Sequence, residues 1–389
     1  MRHDVEVRLI ERIQALVEAG KRETADGFYR VPVEDYLAPE RHAHEMAALF
    51  RRYPLIVAQS SELAGPGAFV THDLAGVPIL LVRGEGGEIG AFLNVCRHRG
   101  ARLVVSAHGQ IGTAITCPYH AWIYDRSGAL VRTSDEESFA GLDRVGHGLT
   151  RLPVVERHGL VWVQPSPGDA ALDIDRFLGA LADDFASFDL GGSVLYAPGE
   201  IRCAINWKVM VDTFLEDYHF RYVHGRSVYR FYLDNAAVYE RFGPHIRYVI
   251  PKRTLLDLKG TDPVHWRLRE HANILYYIFP NTVIVFVADH AAIFAMFPDG
   301  ATRSVMRLSF CLPETPSSDK ARSYWERNAN LIRTALDEDF RVAEGVQAGF
   351  TSGANTHLVF GRYEKGLAFF HQALEEALSA APRPSKGSG

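Results

Sequence analysis

Two short patterns constrain this chain most: Cys96-x-His98 and, eighteen residues later, Cys117-x-x-His120. Each half pairs one thiol with one imidazole, close enough in sequence for a short loop to bring both to one metal centre. Such a quartet suits a tetrahedral zinc or a [2Fe–2S] cluster with two Cys on one iron and two His on the other. Zinc modules usually pair Cys-x-x-Cys with His-x(3–5)-His. Here each half carries one Cys and one His, which suits a site where each loop gives one ligand to each iron. The loops also hold Gly100, Pro118 and many backbone donors, as bridging sulfides need.

The string CRHRG…CPYHAWIYDRSG resembles the Rieske iron–sulfur motif, with Cys96, His98, Cys117 and His120 as the [2Fe–2S] ligands. Arg97, Arg99 and Arg102 flank it and offer a basic surface to an acidic redox partner, or serve as structural arginines.

A chain of 389 residues predicts two domains. Net charge is −5, which gives no global basic footprint for nucleic acid or an anionic membrane. The four cysteines are Cys96, Cys117, Cys203 and Cys311. The last two lie far apart, so a disulfide framework is not expected and a cytoplasmic location is. No apolar signal segment follows Met1, and no run of eighteen apolar residues appears.

Helical spacing marks 5–20 and 41–52. From about 53 to 165, short strands alternate with Gly-rich turns, such as 78–82, the turn 84–88, then 89–95. Residues 165–169 (PSPGD) read as a linker and 174–188 as a helix. Strands follow at 246–250, 274–278, 282–287, 291–297 and 305–311, then helices at about 317–349 and 363–380. The expected organisation is an N-terminal helical segment (1–45), a small antiparallel β domain (46–165), a second domain (166–380) and a disordered Pro/Gly/Ser tail (381–389).

The stretch 206–224 contains Glu216, His219 and His224 without an interrupting Gly or Pro, so a helix is the simplest reading. Glu216 and His219 then share a face. His219 and His224, five apart, sit about 140° round a regular helix. Both face one ion only if the helix widens or ends early. Two imidazoles and a carboxylate form the facial triad of non-haem iron oxygenases. The carboxylate must come from elsewhere; Asp337, Glu338 and Asp339 are the candidates, and spacing does not choose among them.

NWK…E-x-Y-H-x4-H resembles the catalytic domain of Rieske non-haem iron oxygenases, the aromatic ring-hydroxylating α subunits, and E-D-x4-E-x-x-Q from Glu338 to Gln347 resembles their C-terminal ligand segment. That resemblance implies His219, His224 and Asp339 as ligands of a mononuclear Fe(II). It implies an α+β fold in which a Rieske β domain precedes a helix-grip catalytic domain, with an antiparallel sheet around a long C-terminal helix. It implies a homotrimer, with or without a β subunit, in which Glu216 bridges His219 to His98 or His120 of a neighbour. Many relatives have Asp at this place, so Asp212 and Asp217 are rivals. It also implies O2 as oxidant, and electrons from an NAD(P)H-dependent reductase, with or without a ferredoxin.

The expected reaction is mono- or dihydroxylation of a small aromatic substrate. Demethylation of a quaternary ammonium compound is the alternative. An aromatic pocket serves either, and Phe220, Tyr222, Tyr229, Phe231, Tyr232, Tyr276, Tyr277, Phe279, Phe286, Phe294 and Phe297 are candidates for it. Asn206 is expected near the iron pocket or at a helix start. Two other classes compete: a non-catalytic Rieske electron-transfer protein, which would not need the triad, and a colourless zinc module.

Overall fold

Residues 1–382 are described in the computed structural model. The disordered-tail expectation for 381–389 therefore falls almost wholly outside the described residues. The chain forms two compact units. The smaller holds Phe50–Ile174 and Leu190–Gly192; the larger holds Met1–Leu49, Asp175–Asp189 and the chain from Ser193 onward. The N-terminal segment thus belongs to the larger unit rather than standing apart.

The smaller unit is built from short antiparallel strands. One sheet runs in the order Ile89–Leu93, Val77–Arg83, Ala68–Leu74, His108–Gln110. Its second strand is apolar on both faces, with Ile79, Leu80, Leu81 and Val82 all buried. The two-residue turn before it, Ala75-Gly76, has positive φ at both positions, which matches the twist of paired strands. A second sheet orders Val154–Arg157, Leu160–Val163 and Leu55–Gln59; a third orders Ala114–Thr116, Ile123–Asp125 and Leu130–Arg132.

The larger unit centres on a seven-stranded antiparallel sheet. Its order is Val194–Cys203, Ser304–Leu312, Ala291–Pro298, Thr282–Phe286, Ala272–Ile278, His245–Pro251, Val238–Phe242. The five expected strands of this region are all present. The helix Asp319–Phe350 is capped by Ser318 Oγ, which accepts from Ala321 N at 3.1 Å. It buries Trp325, Ala329, Leu336, Phe340, Ala343, Gln347 and Phe350, a single face at the helical period. This is the α+β architecture expected.

Three helices differ from expectation. The one at 41–52 is Pro39–Glu45 followed by a π turn at Met46–Phe50. That at 174–188 is broken by a 3₁₀ turn at Gly179–Leu181. The stretch 206–224 is not one helix: Trp207–Asp212 ends early, and Phe220–Val223 is a separate turn. A buried ionic cluster fixes the first of these two pieces. Lys208 Nζ donates to Glu45 Oε1 at 2.6 Å, while Trp207 Nε1 donates to Glu45 Oε2 at 2.9 Å. Both charges are fully buried. Lys208→Met leaves Glu45 still paired with Arg41 and Trp207, so the expected cost is that of one charged hydrogen bond, about 1.5–3 kcal/mol of unfolding free energy. Urea denaturation of the two proteins measures this; a loss below about 1 kcal/mol contradicts it.

Candidate functional site

The two Cys loops share one backbone plan. Gly100 N donates to the Cys96 carbonyl at 3.0 Å, and Cys96 N donates to the Ala101 carbonyl at 2.7 Å. Ala121 N and Cys117 N make the same pair, with the Cys117 and Trp122 carbonyls, at 3.0 and 2.8 Å. Position four after each Cys has positive φ: 77° at Gly100, 51° at Ala121. Gly adopts this freely, while Ala pays a steric cost to do so. Both thiols are buried in the core of the unit, whereas His98 and His120 are half-buried. The His98 ring stacks on Trp122 at 4.9 Å and lies 4.7 Å from the His120 ring.

One zinc would draw four ligand atoms to within roughly 3.5–3.8 Å of one another. Among the described residues, the group of three or more potential ligands gathered within 4.8 Å is His219, His224 and Asp339, not the Cys/His quartet. A wider spread with sulfur inside and imidazole outside fits a two-iron group whose histidine edge faces outward. Tyr124 Oη sits 3.3 Å from Cys96 Sγ and accepts from Arg97 N at 3.0 Å. With that N–H on its oxygen, the hydroxyl is oriented to donate to sulfur. Hydrogen bonds to cluster sulfurs raise the potential. Tyr124→Phe is expected to shift the cluster midpoint to more negative values, read by redox titration of its absorbance; an unchanged midpoint contradicts the assignment. Of the flanking arginines, Arg102 is paired with Asp73 at 2.7 Å and Arg99 lies over Tyr119.

The triad forms where the Trp207–Asp212 helix gives way to a loop. His219 precedes the short turn Phe220–Val223 and His224 ends it, so the early helix end removes the angular mismatch. Both Nε2 atoms face Asp339 Oδ1, at 3.4 Å from His219 and 3.1 Å from His224. Both Nδ1 atoms point to carboxylates. His219 Nδ1 pairs with Glu216 Oε1, and His224 Nδ1 lies 2.7 Å from Glu338 Oε2. Nδ1–H donation to these acids leaves each Nε2 lone pair for a metal. His219 Nε2 is buried without a hydrogen-bond partner among the described residues. Burial pushes the His219 imidazolium down, yet Glu216 and Asp339 outweigh it and hold it up to about 10. Burial and the Glu216 charge push Asp217 up to about 7. Such an excess of negative charge suits a divalent cation, and two imidazoles with one carboxylate suit Fe(II).

The triad lies between two cavities. One, about 180 Å³, is lined by Phe214, Phe220, Tyr232, Phe294, Leu336 and Asp339 among others. The other, also about 180 Å³, contains Asp212, Glu216, His219, Asp339, Val342 and Phe360. On its rim the helix Lys365–Ser379 packs against the loop before Glu216. A Cβ on Gly366 would sit 2.2 Å from the Leu215 carbonyl oxygen, so only glycine allows this approach.

The family profile described as "Rieske [2Fe-2S] domain" matches residues 53–146, and "Ring hydroxylating alpha subunit (catalytic domain)" matches 193–380. The chain belongs to the Rieske non-haem iron oxygenases. It is an oxidoreductase that uses a [2Fe–2S] cluster, mononuclear iron and electrons from a reductase. It is 27% identical to the carnitine monooxygenase oxygenase subunit of Escherichia coli K12, over 90% of this chain and 93% of that one. It is 26% identical to the glycine betaine monooxygenase oxygenase subunit of Chromohalobacter salexigens, over 88% and 84%. Choline monooxygenase of Beta vulgaris is 25% identical, over 88% and 76%. A crystal structure of a quaternary ammonium Rieske monooxygenase with L-carnitine shares the fold, with TM-score 0.76 and 22% identity over 92% and 96%. Naphthalene 1,2-dioxygenase shares it too, with TM-score 0.75 and 19% identity over 90% and 92%.

Several site expectations need correction against this oxygenase structure. Asn206 is a helix cap, not a pocket residue. Its Oδ1 accepts from Lys208 N at 2.9 Å, and its Nδ2 donates to the Tyr36 and Ala301 carbonyls, leaving no free polar atom. The rivals of Glu216 are engaged elsewhere: Asp217 Oδ2 accepts from Ala237 N, and Asp212 holds Tyr36 Oη and His371 Nε2. Of the eleven candidate aromatics, Phe220, Tyr232 and Phe294 line the first cavity, while Tyr276, Tyr277, Phe279, Phe286 and Phe297 are core. Sequence reasoning missed Phe214 there, and missed Glu338 as the partner of His224, where it also accepts from Ser227 Oγ at 2.6 Å. The one available signal was Glu338 itself, beside Asp339 in the matched segment. Among the described residues no helix is long and apolar enough to cross a membrane.

Proposed function

We propose that this chain is the oxygenase subunit of a Rieske monooxygenase acting on a small quaternary ammonium compound. One atom of O2 enters a C–H bond of the substrate. Two electrons and two protons reduce the other atom to water, the electrons coming from an NAD(P)H-dependent reductase. Bound iron, held by His219, His224 and Asp339, supplies the O2 chemistry.

The first cavity carries this reading. It meets the triad at His224 and Asp339, and its lining includes the rings of Phe214, Phe220, Tyr232 and Phe294 with no Lys or Arg. Ring faces attract a trimethylammonium, and aliphatic neighbours such as Val228, Leu275 and Leu336 pack its methyl groups. Relatives named for choline, carnitine and glycine betaine support the same class. Glu216, which lines the second cavity, bridges His219 to a cluster histidine of a neighbouring subunit in a homotrimer, so that electrons pass between the two centres along its hydrogen bonds. Inter-subunit electron transfer is reported of one solved relative. Hydroxylation of an aromatic ring is the second reading, favoured by the same rings through stacking.

The test is substrate-dependent O2 uptake by the reconstituted enzyme with a reductase. Choline, glycine betaine and carnitine are compared with benzoate and naphthalene, with products identified by mass spectrometry. A monooxygenated product from at least one quaternary ammonium compound is expected. Turnover of the aromatic compounds alone would replace this reading with the second.

A further inference from the structure

Two residues that line the first cavity each have one buried polar atom without a hydrogen-bond partner among the described residues. His290 is 4% exposed, and its Nδ1 lies 2.8 Å from Asp289 Oδ1, so it donates there and leaves Nε2 as an acceptor. That Nε2 is buried and unpartnered. Asn273 Nδ2 donates to Tyr232 Oη at 2.7 Å, and Asn273 Oδ1 is likewise buried and unpartnered. Both residues line the cavity. They sit on the sheet, Asn273 at the start of Ala272–Ile278 and His290 next to Ala291–Pro298. His290 is held further through its neighbours. Asp289 also accepts from Tyr324 Oη at 2.5 Å, and His290 packs edge-on against Trp325.

A buried polar atom without a partner is costly, and such atoms are rare unless something else satisfies them. Here both free atoms are acceptors, on residues of a cavity lined mainly by rings and aliphatic groups, with Thr213, Asn328 and the triad's His224 and Asp339 as its other polar residues. Two cations lie near Asp289, and both are engaged: Arg269 donates to the carbonyls of Val287 and His290 and faces the rings of Phe188 and Phe286, and Lys252 Nζ donates to the Glu270 carbonyl at 3.3 Å. Neither is among the lining residues.

We infer that Asn273 and His290 form the polar recognition point of the cavity, binding a hydroxyl or N–H donor of the substrate and rejecting a carboxylate. This rests on the reading of the first cavity as the substrate pocket. It divides the quaternary ammonium class: an alcohol such as choline satisfies the acceptors, whereas the carboxylate of glycine betaine meets two acceptors and no Lys or Arg of the lining. A site built for one hydrogen-bonding partner discriminates through the groups a wrong ligand leaves unpaired.

The test is calorimetric binding to the iron-loaded protein, anaerobically and without reductant, using two matched pairs. Choline and glycine betaine share a trimethylammonium; benzyl alcohol and benzoate share a ring. The alcohol is expected to bind at least about tenfold tighter in whichever pair binds. Asn273→Leu and His290→Phe are each expected to bring that ratio towards one, with cluster absorbance and iron content as checks on folding. If one variant fails to fold, the other gives the same readout. Binding only by the benzyl pair, with the alcohol preferred, removes the quaternary ammonium reading and leaves the inference standing. A carboxylate that binds as tightly as its alcohol overturns the inference, as does an unchanged ratio in a folded variant or the failure of both alcohols to bind.

Discussion

Asp339→Ala is expected to empty the mononuclear site and abolish turnover while leaving the red-brown [2Fe–2S] chromophore intact. Asp339 is the one carboxylate that both Nε2 atoms face, so its loss removes the only anionic ligand of the triad. The quartet Cys96, His98, Cys117 and His120 belongs to the other compact unit, so its metal content is independent of this change. Iron and acid-labile sulfide per chain measure the outcome: about three irons and two sulfides in the parent become about two and two. Retention of three irons would show that another carboxylate serves. The neighbours give internal controls. Asp337 is exposed, so Asp337→Ala should keep the iron. Glu338→Gln keeps the triad but weakens the hold on His224 Nδ1, and iron affinity is expected to fall about 10- to 100-fold.

These adjacent acids show what the sequence could and could not say. Three consecutive carboxylates on one helix point in three directions, about 100° apart, and only packing decides which one meets the histidines. Spacing left the choice open; the burial of Leu336, Phe340 and Ala343 fixes the rotation of the helix and turns Asp339 inward. The two Cys loops were legible as loops, because residues two or three apart leave a loop few ways to close, and the same backbone plan recurs at Cys96 and Cys117. The break in 206–224 was only half legible. The five-residue interval between His219 and His224 demanded a distortion, but nothing local names its place. Asn206 was ambiguous because a cap and a pocket residue look alike in sequence. Phe214, Asn273 and His290 were invisible as a group. They come from separate stretches, and only the register of the seven-stranded sheet and the loop before Glu216 brings them to one cavity.

Glu216→Gln is expected to leave both metals bound and still slow turnover by about 10- to 100-fold. The carboxylate accepts from His219 Nδ1 through one oxygen and, through the other, from the backbone N–H groups of Tyr218 at 2.5 Å and His219 at 3.1 Å. It lines the cavity on the side of the triad away from Phe220 and Phe294. An amide keeps the volume but has one acceptor where the carboxylate has two, and it carries no charge. Its one oxygen can therefore serve the His219 imidazole or the two backbone N–H groups, but not both, and the amide NH₂ cannot accept from an imidazole arriving from a neighbouring subunit. Loss of the charge also removes the main support for a protonated or metal-bound His219, since Glu216 is the strongest of the influences that oppose its burial. The effect should appear in one step only. Reduction of the cluster by the reductase should run at the parental rate, whereas in a single turnover with O2 and substrate the reduced-cluster absorbance should decay slowly. Decay at the parental rate would remove Glu216 from the electron path. Asp217→Asn separates this from a general effect of charge near the triad: Asp217 is buried against the Ala237 N–H, feels the charges of Glu216 and His219, and forms no hydrogen bond or ion pair with either imidazole among the described residues, so its decay rate should stay parental.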